Sequence, residues 1–245
     1  MQQREDLTVY PRPNVAVDLA LLTVLPAPLR GMSSTLAVLV QDRAVPPWGR
    51  ALPGRFLRER QTVRDGVTDL LRLELALPPF GVEPELVRIF DDPDRDDRAW
   101  TMSLAHAVTQ PLATVAHARG EFVPVGLDGN LVTGETLLFD HHLIVREAAA
   151  GLRERYERRP DPDHLLGRDF TLGELRSVHE AVLGEPLLRD TFNRRMGDHL
   201  HPTTDTRIAG GRPATVYERA ADRHATESER RRLQLPRRSS RQNHG

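Results

Sequence analysis

Apolar residues fall into runs of two different periods along the chain. Val15–Val24 (Val-Ala-Val-Asp-Leu-Ala-Leu-Leu-Thr-Val) is β-rich and nearly all apolar, and Leu36–Gln41 is a second such run. Both have the length of buried strands, closed by Pro26/Pro28 and by Pro46/Pro47. Asp18 places one charge inside the first run. It reads either as a strand end or edge position, or as a carboxylate facing a ligand. From about Thr62 to Leu75 the spacing becomes helical. Val63, Val67, Leu70, Leu71 and Glu74 share one face, whose apolar members dock the helix on a core. Ile144, Ala148, Leu152 and Tyr156 then mark the inner face of a second helix, with Asp140 as its N-cap.

Residues 1–157 therefore form a first domain. Residues 158–169 read as a linker, charged and broken by prolines between Arg158 and Asp163. A second domain, 170–221, opens on Phe170-Thr171-Leu172-Gly173-Glu174-Leu175, where Thr171 caps a helix and Glu174 completes the capping box. Phe170 can staple onto Leu175, and Val178 and Val182 continue the stripe. Gly184 ends this helix and Pro186 opens the next, which turns Leu188, Phe192 and Met196 inward. Arg189, Asn193 and Arg194 point outward, with Thr191 and Arg195 beside them. Two short helices joined through Gly-Glu-Pro fit helix-turn-helix geometry. Leu200–Arg207 and Thr215–Tyr217 read as strands around Gly210-Gly211-Arg212-Pro213, a wing with a basic tip. Residues 222–245 are arginine-rich and polar, and read as a disordered tail with a short helix near Ala225–Leu233. Such a tail adds either nonspecific attraction to phosphates or solubility.

Composition narrows the chemistry. The chain has 245 residues, 39% hydrophobic, with a mean hydropathy of -0.46. It has no apolar stretch of about 18 residues, and its first residues form no apolar leader, which argues for a cytoplasmic protein. There is no cysteine, so disulfides, thiolate metal sites and cysteine nucleophiles are excluded together. There is also no lysine, so all side-chain positive charge other than histidine is arginine, which can hold phosphates bidentately. A net charge of -1 means that any DNA binding comes from a local patch.

Trp48, Leu52-Pro53-Gly54 and Phe56-Leu57 resemble the opening of the Nudix loop-helix-loop. The family box is G-x5-E-x7-R-E-U-x-E-E-x-G-U, with U apolar. Aligned on Pro53-Gly54, Arg55 takes the place of its glycine, Gln61 its first glutamate, Asp69 its arginine and Leu70 the next glutamate. Leu71 keeps the apolar position. Leu73 replaces the first glutamate of the metal pair, Glu74 retains the second, Ala76 replaces the glycine and Leu77 keeps the last apolar place. Magnesium needs several hard oxygen ligands, so this box predicts neither a metal site nor catalytic residues. Glu74 reads as a residual carboxylate or as a solvated helix residue. Phe90–Trp100 resembles the F-x-D-P-x-R-D-P-R-G loop of Nudix domains of regulator and ADP-ribose type, preceding a core strand at Thr101–Val108. Arg95 and Arg98 there either hold a ligand phosphate or pair with the loop's aspartates. Phe139-Asp140-His141-His142-Leu143-Ile144 resembles the F-D-H-x-x-I start of the family's last helix. A metal site at His141/His142 is disfavoured, because adjacent helix residues do not face one another.

Phe170–Leu187 and Gly211-Arg212-Pro213-Ala214-Thr215-Val216-Tyr217 resemble the C-terminal domain of the Nudix-related transcriptional regulators (NrtR). The resemblance covers about Val15–Arg219. It implies an α/β (α+β) protein: a Nudix-like α/β/α sandwich followed by a winged helix-turn-helix. It implies a homodimer on a palindromic operator in double-stranded DNA, with no membrane partner. It also implies a small-molecule effector, ADP-ribose or a related nucleotide of NAD metabolism, and no required cofactor. Some related regulators sense sugars instead. Trp48, Arg55, Phe56, Glu74, Arg95 and Arg98 are the candidate ligand residues. Arg189, Thr191, Asn193, Arg194, Arg195 and Arg212 are the candidate DNA residues. The alternatives are an ADP-ribose-type diphosphatase with a divergent box, or a scaffold using both domains for protein contacts.

Overall fold

A computed structural model of the chain describes residues 9–29, 32–78, 80–81, 83–209 and 211–222. The expected tail lies outside these residues, apart from its first position. The chain divides into two compact units. One comprises residues up to Leu165 together with Ser177–Pro186, and the other Leu166–Arg176 together with residues from Leu187 onward.

The first unit is built on β1 (Asn14–Leu25), an almost continuously buried strand. It pairs antiparallel with β2 (Thr35–Asp42) and parallel with β6 (Thr101–Thr109), so it lies inside a mixed sheet. The sheet runs β3-β2-β1-β6-β5, where β3 is Arg50–Ala51 and β5 is Glu85–Phe90. β4 (Gly54–Phe56) joins β1 and β7 (Glu121–Pro124) joins β2. Both faces of β1 are covered, which is why its sequence is nearly all apolar rather than alternating. Val17, Leu19 and Leu21 pack with Val67, Leu70, Leu71 and Leu75 on one face. The long helix α3 (His141–Arg158) buries Ile144, Val145, Ala148, Ala149, Leu152 and Tyr156. The short helix α2 (Leu112–Val115) adds Val115 to the first of these clusters.

The helix expected from Thr62 is two structures in succession. α1 (Val63–Asp69) starts at Thr62, whose side chain accepts from the Asp65 amide while Asp65 caps in return. Leu70–Glu74 then widens into a π-helical turn, closed by the Leu75 amide donating to Leu70 O at 3.1 Å. The wider turn keeps Leu70, Leu71, Leu75 and Leu77 all buried. It also moves Glu74 off the buried face and onto the rim, contrary to the helical spacing. The polar stretch after α3, expected as a linker, is held down at its centre. Asp161 is fully buried, accepting from the Tyr156 hydroxyl at 2.7 Å, and its amide donates to His179 Nε2.

The second unit holds most of a winged helix, whose first helix runs on past Arg176. α4 (Leu172–Leu183) begins with the expected capping box: the Thr171 amide donates to Glu174 Oε2 at 2.7 Å, and the Glu174 amide donates to Thr171 Oγ1 at 3.2 Å. Its wing is longer than the expected segments, with β9 (Leu200–Ala209) against β10 (Arg212–Arg219). A short strand β8 (Phe170–Thr171) adds to the other edge of β10. Phe170, Leu175, Phe192, Met196 and Leu200 form the core. α5 (Arg189–Gly197) begins later than expected: Pro186 does not open it, and Leu188 serves as its N-cap with 78% of its surface exposed. Leu188 therefore does not face inward, because the helical stripe starts only at Phe192.

Ala76 stands where the family box has glycine, and its φ is 56°. A left-handed alanine costs about 1–2 kcal/mol, against about 0.5–1 kcal/mol for the extra chain entropy of glycine. Ala76→Gly is therefore expected to stabilise the protein by about 0.5–1 kcal/mol, raising Tm by roughly 2–4 °C in a thermal melt. A lower Tm would contradict the left-handed backbone at this residue.

Candidate functional site

Strand pairing and loop return place a polar cluster between β1 and the start of α3. Asp18 is buried on β1, a central strand, so it is neither an edge nor a strand-end residue. Its Oδ2 accepts from Ser103 Oγ at 2.6 Å and from Arg95 Nη2 at 3.4 Å. Arg95 also grips Asp140 with two bonds, Nε to Oδ2 at 2.9 Å and Nη2 to Oδ1 at 2.6 Å. The Arg95 side chain is only 4% exposed. Asp140 occupies the N-cap position of α3, but its carboxylate makes no cap bond and is turned to Arg95 instead. The Leu52 amide donates to His141 Nδ1 at 2.9 Å, which leaves Nε2 facing Asp18 Oδ2 at 3.6 Å.

Burial alone raises the Asp18 carboxyl, but His141, the Ser103 hydroxyl and Arg95 outweigh it and hold the carboxyl at about 2. Gly54, opposite Asp18 in the β1–β4 register, leaves room for this group; a Cβ there would lie 2.1 Å from Asp18 Oδ1.

The candidate ligand residues do not converge on one point. Arg95 is committed to carboxylates, although it borders a cleft of about 790 Å³ walled by Asp91, Asp92, Asp94, Asp97, Phe139 and His142. Arg98 clamps Asp96 within its own loop, at 2.8 and 2.7 Å, and stacks 5.1 Å over the Phe139 ring. Arg43, which sequence reasoning missed, lies 5.3 Å from the same ring. Trp48 is 67% exposed and Phe56 is also exposed, and neither lines the cleft beside Arg95 or the one beside Glu74. Arg55 and Glu74 do meet, with Nη1 3.8 Å from Oε1. Glu74 borders a second cleft of about 410 Å³, lined also by Gln41, Arg43, Gly54 and Arg119. Arg119 donates to Leu73 O and its own carbonyl accepts from Gln41, which ties the end of the π turn to β2.

The box does not fit a divalent ion. Leu70 is buried in the core and Leu73 points out to solvent, so two of the family's oxygen donors are hydrocarbon here. Among the described residues no group of three histidine or carboxylate side chains is placed to hold a metal.

In the second unit, Arg189, Asn193 and Arg212 line one cleft of about 450 Å³ between α5 and the wing. Arg176 on α4 joins them and was not singled out from the sequence, where it reads as one more helix-surface charge. Its Nη1 donates to Leu187 O at 3.3 Å. Thr191, Arg194 and Arg195 are exposed on α5 and do not line that cleft. Arg207 binds both oxygens of Glu174 at 2.9 Å, fastening the wing to the start of α4.

The fold and sites define a Nudix-like α/β domain joined to a winged helix. Residues 162–218 match the family of NrtR DNA-binding winged helix domains. The chain is similar along most of its length to an "ADPR responsive transcriptional repressor NtrR" of Acinetobacter baylyi, 28% identical, with 85% of this chain and 82% of that protein covered. It is similar to the crystal structure of Shewanella oneidensis NrtR complexed with a 27mer DNA (27% identity, TM-score 0.64, 86% of this chain and 95% of that chain). A MutT/nudix family protein from Enterococcus faecalis shares the fold at 23% identity, with a TM-score of 0.63 over 86% of this chain and 89% of its own. Residues 162–218 thus match the NrtR winged-helix family, and most of the chain shares the fold of Shewanella oneidensis NrtR. Among the described residues no helix is long and apolar enough to cross a membrane.

A depressed carboxyl stabilises the folded state above its unfolded pKa, and that stability is lost as pH falls toward the folded value. For Asp18 the window runs from about pH 4 down to about 2, and the contribution is on the order of 2 kcal/mol. Denaturant unfolding at pH 7 and pH 2.5 is expected to show a smaller acid-induced loss in Asp18→Asn than in the wild type. Equal losses in the two proteins would contradict the depressed carboxyl.

Proposed function

We propose that this protein is a DNA-binding transcriptional regulator whose Nudix-like domain senses a small molecule without hydrolysing it. The effector is ADP-ribose or a related nucleotide of NAD metabolism. The carrying observation is the NrtR-type winged helix, whose recognition helix and wing border one arginine-lined cleft. The name of the Acinetobacter relative supports both the repressor reading and the ADP-ribose response. The loss of oxygen donors at Leu70 and Leu73 supports sensing over magnesium-dependent hydrolysis. The protein acts in the bacterial cytoplasm as a homodimer on an inverted repeat, reading half-sites about one or two helical turns apart.

In this reading Arg189 and Asn193 enter the major groove from α5, and Arg212 meets a phosphate or the minor groove from the wing. Arg194, outward on α5, and Arg176, beside the cleft, complete the contact surface. Removing a base contact costs roughly 1–3 kcal/mol and relaxes specificity at one position. Removing a phosphate contact weakens every sequence alike and flattens the salt dependence by about one unit. Titration of DNA from upstream of the protein's own gene, against random competitor, is expected to show specific binding. Asn193→Ala is expected to erode discrimination, and Arg212→Ala to lower affinity uniformly. Equal binding of specific and random DNA at physiological salt, unchanged by both substitutions, would refute the regulator reading.

A further inference from the structure

Arg55 occupies an unusual electrostatic position. It lies on β4 opposite Val17, and the strand turns its side chain toward α1 and the π turn, where it is only 10% exposed. Nη2 is 3.9 Å from Asp69 Oδ2, and Nη1 is 3.8 Å from Glu74 Oε1. Asp69 is held in place by Gln61, which donates to the same Oδ2 at 2.8 Å. The two carboxylates neutralise the guanidinium without hydrogen-bonding to it, because both separations are too long. Its Nε and Nη1 are buried and have no hydrogen-bond partner. A buried charged donor left unsatisfied is costly, and such a group calls for a partner.

The location adds meaning. Arg55 takes the place of the first glycine of the family box, and its guanidinium reaches the one glutamate of the metal pair that survives. It supplies a fixed positive charge where the remaining carboxylates would otherwise repel one another. Glu74 is half-exposed and borders the cleft that Arg43, Arg119 and Gln41 line. Its Oε1 lies 3.8 Å from Nη1 without hydrogen-bonding to it. Swinging this one carboxylate aside opens the guanidinium to a ligand oxygen.

We propose that Arg55 is the resident cation of this pocket, standing where a Nudix box gathers its divalent ion, so that an anionic ligand of the pyrophosphate class binds without metal and displaces Glu74 in doing so. This rests on the reading of the first domain as a nucleotide sensor and names the group that recognises the ligand's phosphates. Glu74 acts as a competitor of the ligand, so the two charged residues have opposite effects on affinity. A metal-dependent pocket gives the reverse expectation for Glu74, since removing a metal ligand weakens binding.

The test is calorimetric titration of the full chain with inorganic pyrophosphate and, separately, with ADP-ribose, each in EDTA and in magnesium. Both ligands are expected to bind in EDTA, with magnesium changing Kd by less than about twofold. Arg55→Gln is expected to weaken both at least tenfold, and Glu74→Gln to tighten both several-fold. Arg55→Lys, which keeps the charge, recovers part of the loss and controls for folding; Glu74→Gln lies on the rim and leaves the core untouched. Pyrophosphate binding that depends on Arg55, with no binding of ADP-ribose, supports the cation role while removing ADP-ribose as the effector. Binding only with magnesium, a loss of affinity in Glu74→Gln, or no binding of either anion overturns the proposal.

Discussion

The first domain depends on one buried arginine. Arg95 bridges Asp18 on the central strand and Asp140 at the start of α3, and so ties the aspartate-rich loop, the sheet and the long helix together. Three ionised groups taken out of water are stable only while each has its partners, and removing one partner of a buried pair typically costs about 3–5 kcal/mol. The surrounding details follow from this need. Ser103 and His141 turn donors toward Asp18, and Gly54 has no side chain because the carboxylate fills that space. Asp140 gives up capping α3 to hold Arg95.

What was legible in the sequence follows the range of the interaction. β1 and β2 stand out because strands buried on both faces read as unbroken apolar runs, whereas β6, with its interleaved Thr, Ser and His, is placed by the family-like loop that precedes it. The Thr171–Glu174 capping box stands out because its two partners are three residues apart. The short strands β3, β4, β7 and β8 are too short to show a period and exist through pairing with other segments, while the edge strand β5 is apolar in sequence yet leaves Leu86 and Ile89 exposed. The π turn keeps the same leucines inward as an α-helix would, so its sequence does not announce it, yet it relocates Glu74. Asp18 and Arg95 are 77 positions apart, and nothing local says that they meet. The loop arginines read equally as ligand groups or as partners of the loop's aspartates; Arg98 pairs with Asp96 of its own loop, while Arg95 pairs with Asp18 and Asp140 from outside it. Leu188 was misread for a simpler reason: a proline two residues earlier resembles a helix start, but α5 begins after it.

The division of labour is then coherent. In the proposed reading, the Nudix-like domain carries leucines at two oxygen-donor positions of its box and an arginine in place of its glycine, a set that suits an anion better than a bound metal. The winged helix keeps its core, its capping box and a cleft where α4, α5 and the wing each bring an arginine. Binding in one domain matters to the other only if the ligand distinguishes DNA-competent from DNA-incompetent protein, since a ligand with equal affinity for both states shifts nothing.

That coupling is measured most directly by fluorescence anisotropy of labelled operator DNA titrated with the protein, in EDTA, with and without saturating ADP-ribose. A sensor-regulator shifts its DNA affinity by roughly 5- to 150-fold on binding its effector. An unchanged DNA affinity, in a protein that calorimetry shows to be saturated with ADP-ribose, would contradict it.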